Sequence, residues 1–216
     1  MRRYSNTAQI AWTIGLYLVA LLGLVASGLR LDMLAEWFAT GVLPEDWVDL
    51  RYVEHPWLSL AHVAPGALFL LIGPLNFLPM LRKAQPGLHR WLGRIFIVSG
   101  LISALSVLAV VLVFPAMGGL ITVFASWLFG LFMAYTLVQG YRAIRTKDVA
   151  RHRRFMIRAY AAGLAVSTIR IGGILADALY GFDFAENFGF AVLFGFVLHA
   201  LIAEAVIWAT RRKPAR

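Results

Sequence analysis

The sequence predicts an all-α, polytopic membrane protein with six transmembrane helices. Of its 216 residues, 61% are hydrophobic and only 14% are charged, whereas about 25% of the residues of an ordinary soluble domain are charged. Six apolar segments each have about the 20 residues that a helix needs to cross a bilayer. We therefore expect a single integral membrane domain over residues 1–216, in which residues 31–57 form a long outer loop.

The six spans are predicted at residues 10–29, 58–80, 91–115, 120–139, 159–180 and 188–210. The first apolar run is too long for a cleavable signal peptide, and five more runs follow it. The second contains Pro65, Pro74 and Pro79, which free backbone carbonyls and permit kinks. The "QPG" before the third run should break the chain, so we expect that helix to begin near Leu88. The fifth run follows the basic stretch "RHRRFMIR".

The long outer loop is rich in aromatic residues. Trp37, Phe38, Trp47, Tyr52 and Trp57 lie in it among acidic residues, and such aromatics are typical of a membrane interface. We interpret "DMLAEWF" and "PEDWVDL" as short interfacial helices on the outer leaflet. The alternative is that the loop is a lid over an outer pocket.

Basic residues concentrate on one side of the predicted membrane, which holds Arg2, Arg3, Arg82, Lys83, Arg90, Arg94, Arg142, Arg145, Lys147, Arg151, Arg153, Arg154, Arg158, Arg211, Arg212, Lys213 and Arg216. The outer side has only Arg30 and Arg51. The positive-inside rule therefore predicts that both termini are cytoplasmic. The net charge of +9 is thus a topological signal, and we expect membrane lipids, or a larger membrane complex, as partners rather than nucleic acid.

Several classes of chemistry have no support in the sequence. It contains no cysteine, which excludes disulfides, thiolate-bound iron–sulfur clusters and cysteine nucleophiles. No phosphate-cradling glycine loop follows a strand. The loops are too short for a nucleotide or flavin domain, and no span holds an acid pair suited to general acid–base catalysis. We therefore favour a protein that is not an enzyme.

Two basic clusters begin the third and fifth helices. In "PGLHRWLGRIF", Arg90 and Arg94 are one turn apart, and cations at a helix N-terminus suggest that an anion lies beside them. One candidate is the phosphate of a lipid headgroup. The other is a propionate of haem b, with His89 and His152 as iron ligands and Gly93 leaving room for the porphyrin. Both interpretations stay open, and we favour the headgroup.

The two clusters also resemble each other in spacing. His89 and His152 are each followed eleven residues later by a glycine, Gly100 and Gly163. Eleven residues are about three turns, so each pair shares a helix face. The similarity is consistent with a duplication or with chance, and we favour chance. Because Gly100 marks a packing face, we expect His89 to be turned inward.

The stretch "LHRWLGR" at residues 88–94, preceded by "AHVAPGALFLLIGPLNF" and followed by "HRRFMIR" with Arg170 beyond it, resembles bacterial predicted membrane proteins of the family called domain of unknown function 2306. This resemblance implies a polytopic protein of a bacterial inner membrane and no particular activity. "HRWLGR" is also similar to the haem-binding helix of ferric reductases. Those proteins have a second histidine thirteen or fourteen residues on, where this chain has Ile102 and Ser103.

Polar side chains within the predicted spans are His62, Asn76, Gln139, Arg170, Asp177, His199 and Glu204. Ionisable groups in a membrane are expensive, so each should have a partner. Arg170 is expected to find a side-chain acceptor on another helix, His199 or Glu204 first, as a packing clamp or as part of an anion or quinone-carbonyl site. His62 and Asp177 share a level, where they form either a carboxylate-oriented histidine for metal or protons, or ordinary interfacial contacts.

Three hypotheses for function follow. The first is a non-enzymatic membrane protein, either an accessory subunit or a module that binds lipid or a small molecule. The second is a single-haem b-type electron carrier with a cytoplasmic-side haem or quinone site at His89 and His152. The third, with less support, is a transporter that uses Arg170 and Glu204. No metal is assigned.

Overall fold

The computed structural model describes residues 6–114 and 117–210, which form helices and no strand. The helices are α1 (Asn6–Thr40), α2 (Trp47–Glu54), α3 (Pro56–Asn76), α4 (Pro79–Ala84), α5 (Pro86–Val113), α6 (Gly119–Arg145), α7 (Val149–Tyr180) and α8 (Phe184–Ala209). Within these residues, all but α2 and α4 are long and apolar enough to cross a membrane, six helices in all. The predicted fold class is therefore confirmed. Outside the described residues lie Arg2, Arg3, Pro115, Arg211, Arg212, Lys213 and Arg216, on which some of the span and topology predictions rest.

The six long helices form one bundle in which α3 and α7 are central. α3 packs against α1 and α5, α7 packs against α6 and α8, and α1 closes against α7. In the core the ring of Phe69 stacks on Phe96, with 4.2 Å between ring centroids. The hydroxyl of Tyr160 on α7 donates to the carbonyl of Leu70 on α3, at 3.1 Å. These contacts join the central helices along the apolar interior.

The first interfacial helix of the outer loop is a wrong prediction. "DMLAEWF" continues α1 without a break, so that α1 ends only at Thr40. The segment between Leu29 and Thr40 has neither glycine nor proline, so nothing in it stops a helix. Gly41 then ends it, with a φ of 71° and an amide that donates to the carbonyl of Trp37 at 2.8 Å, as is common after helix C-termini.

The predicted second span, residues 58–80, contains a helix break. α3 ends at Asn76, and Pro79 begins the separate short helix α4. Proline has no amide hydrogen and fits the first turn of a helix, where that hydrogen would be unpaired. Proline also begins α5, which starts at Pro86, two residues before its predicted start at Leu88. The chain therefore turns twice between α3 and α5.

The second outer helix exists and covers the outer end of the bundle. α2 lies against α1 and α3, and an ion pair joins Arg30 on α1 to Asp49 on α2. The Arg51 guanidinium lies over the Trp47 ring, 4.8 Å from its centroid, and Nη2 is 3.2 Å from Met117 Sδ. Burial lowers the pKa of Arg51. α2 is thus fixed to the bundle by Asp49, which pairs with Arg30 of α1, and by Arg51, which contacts Met117.

Candidate ligand-binding sites

Two polar side chains meet where α3 ends and α5 begins. Asn76 is the last residue of α3, and its Oδ1 is 3.8 Å from the position that a Cβ of Gly93 would take. His89 precedes Gly93 by one turn and therefore shares its helix face. Both side-chain polar atoms of Asn76 and Nδ1 of His89 are buried and lack a hydrogen-bond partner among the described residues. Each such atom costs roughly 1–3 kcal/mol unless something binds it.

His152 on α7 adds an oriented imidazole to this region. Its Nδ1 is 2.9 Å from the carbonyl oxygen of Gly140 on α6. Because a carbonyl only accepts, Nδ1 carries the hydrogen and Nε2 keeps its lone pair. His152 and Arg82 are also the electrostatic neighbours of His89. We call Asn76, His89 and His152 the polar site.

The arginines of α5 face away from the polar site. Arg90 and Arg94 are exposed, whereas His89 is half-buried and Gly100 is buried. A Cβ at Gly100 would lie 2.7 Å from Phe69, so this face of α5 packs closely on α3. The prediction that His89 is turned inward is therefore confirmed.

A groove of about 490 Å³ runs between α3 and α5 on the outside of the bundle. It is lined by Ala64, Pro65, Leu68, Arg94, Ile95, Val98, Ser99 and Ile102. Arg94 is the only charged residue of this lining and lies at the end nearest the start of α5. We call this the α3–α5 groove. The α3–α5 groove is thus largely apolar, with the positively charged side chain of Arg94 at one end.

A second cavity, of about 230 Å³, lies between α6, α7 and α8. The rings of Phe129 and Phe196 stack in its wall, with centroids 4.5 Å apart. At its edge Arg158 donates to both carboxylate oxygens of Glu204, with Nε–Oε1 and Nη2–Oε2 distances of 2.5 and 2.9 Å. This cavity also combines apolar walls with an arginine, but Arg158 is already paired with Glu204.

The helices that form these sites match a known family. A model for predicted membrane proteins, the family called domain of unknown function 2306, matches residues 59–207. The chain belongs to this family. The match runs from α3 to α8 and so includes the polar site, the α3–α5 groove and the second cavity, while α1 and α2 lie outside it. Neither the curated proteins nor the solved structures gave a match.

Membership identifies a multi-pass membrane protein, and the family description names no activity. Nor does the described part of the chain gather three or more His, Cys, Asp or Glu that could hold a metal ion. The chemistry of this member of domain of unknown function 2306 must therefore be argued from its own residues.

The prediction that Arg170 binds a side chain of another helix is wrong. Its Nη1 donates to the carbonyl of Val166 in the same helix, at 2.9 Å, rather than to a side chain of another helix. Its electrostatic neighbours are Tyr52 and Arg30 near the outer end. Arg170 therefore lies near Arg30 on α1, Tyr52 on α2 and His62 on α3.

The two acceptors proposed for Arg170 have other partners. Glu204 binds Arg158, and Nε2 of His199 is 2.7 Å from Oγ1 of Thr168. Depth along each helix was predicted, but the rotation of α7 about its axis was not. Thr168 was missed because a threonine in an apolar helix carries no signal that distinguishes it from a packing residue.

Of the two interpretations of His62, the structure agrees with ordinary hydrogen bonds and not with a pairing to Asp177. Nδ1 of His62 is 3.0 Å from the carbonyl oxygen of Ser103 and 3.4 Å from Oγ of Ser106, both on α5. Asp177 is exposed near the end of α7. Ser103 and Ser106, three residues apart on one face of α5, were the signal that could have identified this contact. Gln139, another candidate, is partly buried on α6.

Proposed function

We propose that the protein is a non-enzymatic lipid-binding module of a bacterial inner membrane, with both termini in the cytoplasm, and that it holds an anionic phospholipid in the α3–α5 groove. The observation that carries this proposal is the position of Arg94 at one end of an otherwise apolar groove. The cytoplasmic location of the termini rests on the positive-inside rule, and the bacterial inner membrane on the resemblance to bacterial members of the family.

The groove and the arginine have separate roles in binding. From Arg94 to Ile102 the groove extends about 12 Å along α5, enough for part of an acyl chain. Bilayer tails are as apolar as the lining, so apolar contact alone gives little preference for one lipid. The preference must come from the headgroup, where Arg94 and Arg90, one turn apart, can both reach a phosphate.

The charge at this end of the bundle favours an anionic lipid over a zwitterionic one. Arg82, Lys83, Arg90 and Arg94 are exposed there, and the described structure pairs none of them with an acid. Each basic residue near a membrane surface attracts anionic lipid by about 1 kcal/mol. A lipid with a net negative charge, such as phosphatidylglycerol, benefits from all four.

The proposal is tested by the lipids that the protein retains. Protein reconstituted with equal amounts of phosphatidylglycerol and phosphatidylethanolamine is extracted in mild detergent, and bound lipids are measured by native mass spectrometry. Arg94→Gln should reduce retained phosphatidylglycerol several-fold. Arg142→Gln, which removes an exposed arginine at the same end of the bundle but outside the groove, should behave as the unaltered protein. Equal retention by the two variants would refute the proposal.

A second candidate function is electron transfer by a single haem b. The observation in its favour is the contact between His152 Nδ1 and the Gly140 carbonyl, because metal-ligating histidines usually donate their other ring hydrogen in this way. A haem would supply one-electron chemistry, and His89 and His152 would hold it. Within residues 6–114 and 117–210, Nδ1 of His89 has no such contact, so we rank this function second.

A further inference from the structure

We propose that Asn76, His89 and His152 form a binding site for a 1,4-hydroquinone head group. The site is separate from the α3–α5 groove, and the proposal does not depend on lipid binding there. It rests on three features of the polar site: its unpaired buried atoms, its surplus of acceptors and the aromatic rings beside it.

The unpaired atoms require a ligand. Asn76 has a donor nitrogen and an acceptor oxygen that are both buried without a partner in the part of the chain that the structure describes, and Nδ1 of His89 is a third such atom. These atoms belong to two helices that pack closely along their length. Native structures rarely leave buried polar groups unpaired, and each exception calls for an explanation such as a bound molecule.

The chemistry of the free atoms selects the kind of ligand. Oδ1 of Asn76 can only accept a hydrogen bond, and so can Nε2 of His152, whose ring hydrogen is on Nδ1. A ligand that binds both groups therefore donates at two places. It must also accept from Nδ2 of Asn76. Two hydroxyl groups meet these needs, because each both donates and accepts.

Simpler ligands leave part of the site unpaired. An oxyanion such as a phosphodiester or an ionised carboxylate has acceptors only, so it cannot satisfy Oδ1 of Asn76 or Nε2 of His152. A haem iron would use the lone pairs of His89 and His152 but would leave the amide of Asn76 unexplained.

Aromatic rings adjoin the hydrogen-bonding groups. Gly73, three residues before Asn76 and on the same face of α3, has no side chain, and the ring of Tyr160 fills that space, 2.0 Å from where a Cβ would be. The rings of Tyr160 and Phe77 have centroids 5.5 Å apart. A flat ligand beside Asn76 would meet these rings, and offset or edge contacts between rings are favourable.

The test compares one ligand with and without its donors. A short-chain alkyl 1,4-hydroquinone, kept reduced, and its dimethyl ether are each titrated into the full-length protein in detergent, and thermal unfolding is followed by circular dichroism. The two compounds have similar size and apolarity, but the ether cannot donate. The hydroquinone should raise the unfolding temperature by several degrees, because a ligand that binds only the folded state stabilises it, and the ether should have little effect.

Variants locate the effect at the polar site. Asn76→Leu and His89→Leu should each weaken hydroquinone binding about tenfold, which corresponds to ~1.4 kcal/mol. Asn76→Leu without ligand should unfold at the same or a higher temperature, since it removes unpaired buried groups. Asn187→Leu, the same change at an exposed position on α8, should bind as the unaltered protein does.

Each of several results would overturn the proposal. One is that the hydroquinone does not shift the unfolding temperature of the unaltered protein. Another is an equal shift by the dimethyl ether, or an equal shift in Asn76→Leu, which would indicate non-specific partitioning. A fall in the unfolding temperature of ligand-free Asn76→Leu would show that water already satisfies Asn76.

Discussion

The ring of Phe69 fills the space that a side chain at Gly163 would need. Its Cε1 is 2.4 Å from the position of a Gly163 Cβ, and its Cδ2 is 2.7 Å from that of Gly100. One phenylalanine of α3 thus lies between a glycine of α5 and a glycine of α7. These are the glycines that follow His89 and His152 by eleven residues, so both histidine–glycine faces meet at one ring.

This contact predicts that Gly163→Ala is destabilising. A methyl group at that position would overlap with the Phe69 ring, and overpacking of a close interface typically costs about 1–3 kcal/mol. The unfolding temperature of the purified protein in detergent should therefore fall. Gly172→Ala is the matched control, because Gly172 is in the same helix and a Cβ there meets nothing within 4 Å. Equal stability of the two variants would contradict the packing.

The ion pair between α7 and α8 gives a second prediction. Arg158→Glu should reduce stability by about 1–3 kcal/mol, between the values for exposed and buried pairs, because it places like charges where Arg158 now binds Glu204 bidentately. The double variant Arg158→Glu/Glu204→Arg restores opposite charges. We expect it to recover at least half of the loss in the unfolding temperature. If the double variant loses as much as the sum of the single changes, the pair contributes nothing.

The sequence was sufficient for the spans because their signal is local. Apolar runs of transmembrane length predict the six long helices, and Pro79 and Pro86 explain the breaks once the structure shows them. The extension of α1 to Thr40 was missed because acidic residues such as Asp32 and Glu36 look like loop residues when only hydropathy is considered. They are nonetheless compatible with a helix that leaves the membrane.

The contacts between helices could not be predicted in the same way. Depth along an axis follows from the rise per residue, and it placed Arg170 and His199 at one level. Which residues face each other depends also on the rotation and offset of each helix. The contacts Arg158–Glu204 and Thr168–His199 fix that offset for α7 and α8, and neither was foreseen. For the polar site, the sequence identified Asn76 and His89 separately but not their common lack of partners.

The third prediction concerns topology. Of the 20 Lys and Arg residues, only Arg30, Arg51 and Arg170 lie outside the side predicted to be cytoplasmic. We therefore expect reporter fusions at the C-terminus and in the α6–α7 turn, near Lys147, to report a cytoplasmic location. A fusion after Gly41 should report the opposite side. A C-terminus on the same side as Gly41 would contradict an even number of spans.

The last prediction distinguishes a haem site from a hydroquinone site at His89 and His152. If His89 and His152 coordinated one haem, the protein produced with ample haem would show a Soret band, and His89→Ala and His152→Ala would each lose it. We expect no such band. In the part of the chain that the structure describes, Nδ1 of His89 lacks the hydrogen-bond acceptor that normally orients a metal-ligating histidine, and a haem would leave the buried amide of Asn76 without a partner.

The measurement is the visible spectrum of the purified protein, with Asn187→Leu as a control for the purification. A band that is present in the unaltered protein and in this control, but absent from both histidine variants, would replace the hydroquinone site with a haem site, because the imidazole lone pairs cannot serve both.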